Sequence, residues 1–178
     1  MCSYANAHSG LNHTHGFGEG LAHPFSGLDH LAAMAAVGMW AAQQGGKAVW
    51  AVPATFVCAL AAGAGLSMTG MTLPLVEPGI VASVLVLGLL IAAAIRLPLA
   101  MSSSLVALFA LQHGYAHGVE MPQMASGLQY GVGFVCASVL LHLSGVGLAG
   151  VIARYVHPKA VRLLGGGIAA AGLYLSVV

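Results

Sequence analysis

The sequence predicts an all-α protein, a polytopic membrane helix bundle of six transmembrane helices with its N-terminus outside. Three observations carry that expectation. Of 178 residues, 59% are hydrophobic and only 5% charged, whereas a water-facing surface of the usual kind needs roughly a quarter charged residues; the mean hydropathy of +0.93 agrees. The apolar residues fall into runs near the roughly 20 residues that span a bilayer. The few charges separate by sign between alternate connections. The 25 glycines fit this class, because membrane helices make close contacts with small residues in place of a hydrophobic driving force.

Residues 1–22 read as a flexible external tail, with His8, His13 and His15 beside Gly10, Gly16, Gly18 and Gly20, too glycine-rich to hold a helix. Within it, Ala5-Asn6-Ala7 has the small-x-small form of a signal-peptidase site without the basic and apolar regions that precede one, so residues 1–7 read as the remnant of a signal peptide. Residues 23–178 form one transmembrane domain, with apolar runs at about 24–42, 48–70, 79–97, 98–117, 126–153 and 160–178. Pro98 punctuates the third and fourth runs, so their connection after Arg96 is short. Pro74, Pro78 and Gly79 mark a turn or re-entrant corner between the second and third.

With six spans and an external N-terminus, the connections at Lys47, at Arg96 and across 154–162 lie on the cytoplasmic side and hold all five basic residues. That satisfies the positive-inside rule. Glu19, Asp29, Glu77 and Glu120 all fall on the opposite side. Acidic residues contribute little to orientation, so their segregation needs another cause.

Two constellations supply it. In His23-Pro24-Phe25-Ser26-Gly27-Leu28-Asp29-His30 the two histidines are about two helical turns apart and share a face if the segment is helical. Pro24 suits a first helical position and leaves His23 just before the helix. The competing expectation is that Ser26 and Asp29 form a capping box. At the outer end of the fourth run, His113, His117 and Glu120 are spaced i, i+4 and i+7 and project from one side of a helix. Imidazole and carboxylate together suit a divalent first-row ion such as Ni, Co, Cu or Zn, and ionisable groups inside a membrane mark function by default. Some members are expected to orient others, since a metal-bound His typically donates its second N–H to a carboxylate or carbonyl. Gly114 and Gly118 form a GxxxG ridge that would bring a neighbouring helix close.

Glu77 is read as a participant, with anchoring of its own loop as the equal alternative. His142, deep in the fifth run, marks either an onward path or a histidine bonded to a neighbouring helix. Met34, one turn after His30, offers a soft ligand if the ion is Cu(I), but methionines in such runs are more often packing. His157 is read as interfacial, and the Gly127/Gly131 pair as a packing ridge. Cys2, Cys58 and Cys136 show no paired spacing. There is no HExxH, no GxxxxGK[ST] and no serine nucleophile elbow, which argues against a zinc protease, a P-loop nucleotidase and a serine hydrolase. A net charge of +1 without a basic patch excludes nucleic acid as a partner of choice. The chain is expected not to be an enzyme.

His23-x5-Asp29-His30, continued by Leu31, Met34, Val37 and Gly38, together with His113-Gly114-x2-His117-Gly118-x-Glu120, resembles the HupE/UreJ family of bacterial nickel permeases. The resemblance implies a multi-pass protein of the bacterial inner membrane, with a periplasmic N-terminus, that takes up Ni2+ for metalloenzyme maturation, hydrogenase or urease being the usual clients. It places the first family motif on His23, Asp29 and His30 and the second on His117 and Glu120, and points by position to Glu77 and Phe56. It also implies a histidine-bearing mature N-terminus, which His8, His13 and His15 would supply.

The expected activity is therefore uptake of a divalent transition-metal ion through an outward-facing His/Asp/Glu site without nucleotide hydrolysis, with Co2+, Cu and Zn2+ as alternatives to Ni2+. Neutral imidazoles are required, so uptake should fall as pH drops through about 6.5. Two other classes stay open: a membrane metal sensor or chaperone subunit without transport, and a bis-His haem cytochrome, which needs two histidines near mid-membrane. Membrane lipid is the surrounding partner, and homo-oligomer formation is left open.

Overall fold

A computed structural model describes residues 16–121 and 126–177. Among them are seven α-helices and no strand: α1 (Phe17–Ala22), α2 (Leu28–Gln44), α3 (Ala48–Ser67), α4 (Val76–Ala93), α5 (Leu99–Glu120), α6 (Gly127–Tyr155) and α7 (Pro158–Leu175), with a 3-10 turn at His23–Phe25 between the first two. Three of them, α3, α4 and α6, are long and apolar enough to cross a membrane, with mean hydropathies of 1.8, 2.2 and 2.0. Large apolar side chains such as Leu108, Leu128, Leu140 and Leu163 face outward, as a protein bathed in lipid requires.

Helix α2 is the centre of the bundle. It packs against α3, α4, α6 and α7, and Met34, Val37, Trp40 and Ala41 along it are completely buried. Its far end is tied by polar groups: the Trp40 indole N–H donates to the Ile95 carbonyl at 3.0 Å, and Gln44 accepts from the Leu97 N–H at 3.1 Å and meets the Ser102 hydroxyl at 2.8 Å. These bonds fix the short connection between α4 and α5, where Ala94 ends α4 in the left-handed conformation (φ 55).

The other contacts are made by reciprocal glycines. Gly38 of α2 faces the His142 carbonyl of α6, while Gly145 of α6 faces the Ala35 carbonyl of α2; a Cβ at either position would overlap that oxygen. The same exchange joins α3 and α5 through Gly63 and Gly114, while Gly88 of α4 and Gly165 of α7 press on the opposing backbone at Ala169 and Ala92. Backbones approach this closely only where the side chain is a hydrogen atom.

Four expectations change. Residues 16–22 are not tail: α1 is helical because Gly20 lies on the Tyr130 carbonyl of α6 and Gly133 on the Phe17 carbonyl of α1, so glycines that weaken the helix intrinsically make its docking close. The helix carrying the first motif starts at Leu28, not Pro24, with Gly27 as N-cap. No capping box forms, because the Ser26 hydroxyl donates back to the His23 carbonyl at 2.6 Å and Asp29 turns to His30. The Gly127/Gly131 pair is not a ridge packed on a described helix: among the described residues nothing lies within 4 Å of a Cβ at Gly131, and Gly127 meets only methionine side-chain ends.

Candidate metal centre

The 3-10 turn, the start of α2 and the C-terminal end of α5 bring five of the motif residues into two overlapping groups. His23, His117 and Glu120 form one, and His30, His113 and His117 the other, with the donor atoms in each group within 4.8 Å of one another. The rings themselves touch: His30 and His117 centroids are 4.3 Å apart, His23 and His117 4.8 Å, and His30 and His113 5.0 Å. Donors around a first-row ion with bonds near 2.1 Å sit about 3–3.5 Å apart, so small side-chain rotations suffice to close either group on an ion.

The groups differ in exposure. The Glu120 side chain is 50% exposed and that of His23 27%, joined by a 3.2 Å contact between His23 Nε2 and Glu120 Oε2. His30 falls to 13%, His117 to 4%, and His113 is fully buried. His117 belongs to both groups, with Nδ1 3.7 Å from Glu120 Oε2 and no hydrogen-bond partner on either ring nitrogen.

Two residues set ring orientation. Asp29 Oδ1 accepts from His30 Nδ1 at 2.7 Å and from the His30 backbone N–H at 2.8 Å, so the proton sits on Nδ1 and the unpartnered Nε2 keeps its lone pair. A carboxylate behind an imidazole in this way fixes its tautomer and raises its basicity as a ligand. Ser83 of α4 does the same for His113. Its hydroxyl donates to the Ile80 carbonyl at 2.6 Å, leaving its oxygen to accept from His113 Nε2 at 2.9 Å, so His113 Nδ1 keeps its lone pair for a metal and has no partner among the described residues. Aromatic residues of α6 wall the groups: Phe134 lies 4.1 Å from the His117 ring, and Tyr130 lies 5.8 Å from His23.

The other sequence candidates fall elsewhere. Glu77 is exposed in the first turn of α4 and belongs to neither group; a carboxylate there favours the helix dipole. The GxxxG ridge of Gly114 and Gly118 is pressed onto Leu60, Ala64 and Ser67 of α3, not toward α2, and α2 and α5 are not a close-packed pair. Long imidazoles therefore bridge the gap, and Asp29 reaches His30 instead of the shared centre. Met34 is completely buried. Phe56 and His142 lie deeper, with ring centroids 4.9 Å apart. His157 caps α7, its Nδ1 accepting from the Lys159 N–H at 3.0 Å. His8, His13 and His15 lie outside the described residues. Ser83, Tyr130 and Phe134 were not foreseen; the only signal for Ser83 is a lone hydroxyl in an apolar run.

The family model described as HupE / UreJ protein matches residues 1–175. The chain is similar to Protein HupE of Rhizobium leguminosarum bv. viciae, with 46% identity over 175 residues that cover 98% of this chain and 91% of that protein. No solved structure matches.

Proposed function

The chain belongs to the HupE/UreJ family, a membrane permease family associated with nickel and cobalt uptake, and from that premise we propose that it carries Ni2+ inward across the bacterial inner membrane. The observation that carries the proposal is the pair of donor groups sharing His117 and stepping from exposed to buried. A neutral imidazole has one lone pair, so His117 serves one ion at a time and the two groups are successive positions, not a binuclear site. Glu120 supplies negative charge to an arriving dication, and the His23 ring shares it. Rotation of His117 then hands the ion to His30 and His113, whose lone pairs Asp29 and Ser83 already aim. The inner group is all imidazole with Asp29 as its nearest counter-charge, which suits partial dehydration followed by release.

The direction follows if α2 to α7 are taken as six spans with a periplasmic N-terminus, a reading supported by where the charges lie. Glu120 and Asp29 lie at one end of the bundle, and Lys47, Arg96, Arg154, Lys159 and Arg162 lie near the opposite helix ends. Helix α5 is of spanning length at 22 residues, its hydropathy lowered by its serines, Gln112 and the site histidines. His8, His13 and His15 would concentrate metal at the entrance, and the delivered ion would serve hydrogenase or urease maturation. No nucleotide-hydrolysing partner is needed, and the ion is cargo, not a resident cofactor.

Uptake of radiolabelled Ni2+ into liposomes holding the purified protein tests this. His117→Ala removes the residue common to both groups and should lower the initial rate at least tenfold. A wild-type rate in that variant would overturn the proposal, and Ni2+ binding by the unaltered protein without flux would favour a metal sensor instead.

A further inference from the structure

His142 is 1% exposed, and among the described residues neither of its ring nitrogens has a hydrogen-bond partner. A buried imidazole retained for structure finds at least one hydrogen bond, as His113 does with Ser83. His142 sits near the middle of α6, eight residues beyond Phe134, or about 12 Å further along the helix axis, toward the end that bears Arg154. Its backbone is held, since Gly38 of α2 lies against its carbonyl and Gly145, one turn on, against Ala35. The ring packs edge-on against Phe56 but carries no hydrogen bond among the described residues.

One side chain links this ring to the centre above. Phe56 of α3 is completely buried, and its ring centroid lies 5.9 Å from His113 and 4.9 Å from His142. Resting on the uptake reading above, we propose that His142 is a transit ligand for the permeating divalent cation, a deeper position separated from the His30, His113 and His117 group by the Phe56 ring. The ring of Phe56 must turn for the ion to pass, and its face attracts a cation as it does so. A ligand with neither nitrogen committed offers a lone pair without first breaking a hydrogen bond, which suits a position that passes an ion on.

The test compares unaltered protein with His142→Leu, His142→Cys and His142→Ser in liposomes. Leucine fills similar space and removes two unpartnered polar atoms, so the bundle should melt no lower than the wild type. Its Ni2+ uptake should fall at least tenfold, while Ni2+ affinity in detergent, measured by equilibrium dialysis and dominated by the outer groups, should change less than twofold. Cysteine and serine are near-isosteric, so any folding defect is shared, but only the thiolate is a soft ligand; Cd2+ uptake by His142→Cys should exceed that by His142→Ser at least tenfold. Wild-type Ni2+ uptake by His142→Leu, or equal Cd2+ uptake by the Cys and Ser variants, overturns the proposal. An unaltered protein that moves neither Ni2+ nor Co2+ sinks the uptake reading and this position with it, whereas transport that is indifferent to residue 142 sinks only the latter.

Discussion

Asp29 and Ser83 act on the candidate centre through other side chains. Asp29→Asn keeps an acceptor for His30 Nδ1 but loses the charge, and Asp29→Ala loses both. Removing a group that orients a ligand typically weakens metal binding 10- to 100-fold, so Ni2+ affinity by equilibrium dialysis should fall in the order wild type, Asn, Ala, reaching about 100-fold for Ala. Equal affinity in all three would mean that the 2.7 Å contact with His30 contributes nothing to binding. Ser83→Ala strands the His113 Nε2–H in a buried site and should destabilise the bundle by about 1–3 kcal/mol, read as a lower melting temperature, with roughly tenfold weaker Ni2+ binding. The two residues were unequally legible in sequence. Asp29 adjoins a histidine in a stretch with few other polar groups, so it stood out, although its role as an orienting group needed the geometry. Ser83 has no spacing relation to His113 and comes from another helix, which no one-dimensional pattern encodes. Glu77 shows the converse: sidedness groups it with the other acids, but sidedness carries no distance, and it lies outside the two donor groups.

At the scale of helices, the bundle depends on glycine crossings more than on shape-matched side chains. A methyl group at Gly114 would overlap the Leu60 carbonyl, and one at Gly38 the His142 carbonyl. Gly114→Ala should therefore push α5 from α3, destabilise by about 1–3 kcal/mol, and lower both the melting temperature in detergent and Ni2+ uptake. Gly147, on α6 but with nothing within 4 Å of an added Cβ, is the control. Alanine there should be neutral or stabilise by up to about 1 kcal/mol through helix propensity. Equal melting of the two variants would remove the crossings as a source of stability. The sequence made the existence of close crossings legible, since glycine in an apolar run has few other uses, but not their partners. The ridge of Gly114 and Gly118 announced a close neighbour without saying that it is α3. Helix α1 escaped for a related one: Gly18 and Gly20 lower its intrinsic propensity, and its order comes from Gly133 on a helix more than a hundred residues away.

Across the whole molecule, the central position of α2 gives the uptake proposal its electrical consequence. His30 lies in the first turn of the helix most enclosed by the others, so on the uptake proposal an ion reaching the inner group has left bulk water and begun to enter the membrane field. The segregation of acids from bases along the chain was fully legible, because it needs only the order of spans and charges, whereas the depth of each histidine required the packed bundle. A dication crossing the whole field gains about 2.3 kcal/mol per charge per 100 mV, hence roughly 4.6 kcal/mol, which at equilibrium corresponds to an inside-to-outside ratio on the order of 1000. An inside-negative potassium diffusion potential set by valinomycin should therefore accelerate Ni2+ entry into liposomes and raise its final accumulation, and reversing the gradient should suppress both. Final accumulation follows the potential whichever way the protein is inserted, whereas the initial rate depends on which face is outward; labelling of a single cysteine introduced beside Glu120, and of another beside Lys159, by an impermeant reagent should mark opposite faces. Uptake indifferent to the imposed potential would mean that the ion crosses with compensating charge, by exchange for protons or another cation, and the passive route through the two histidine groups would be abandoned.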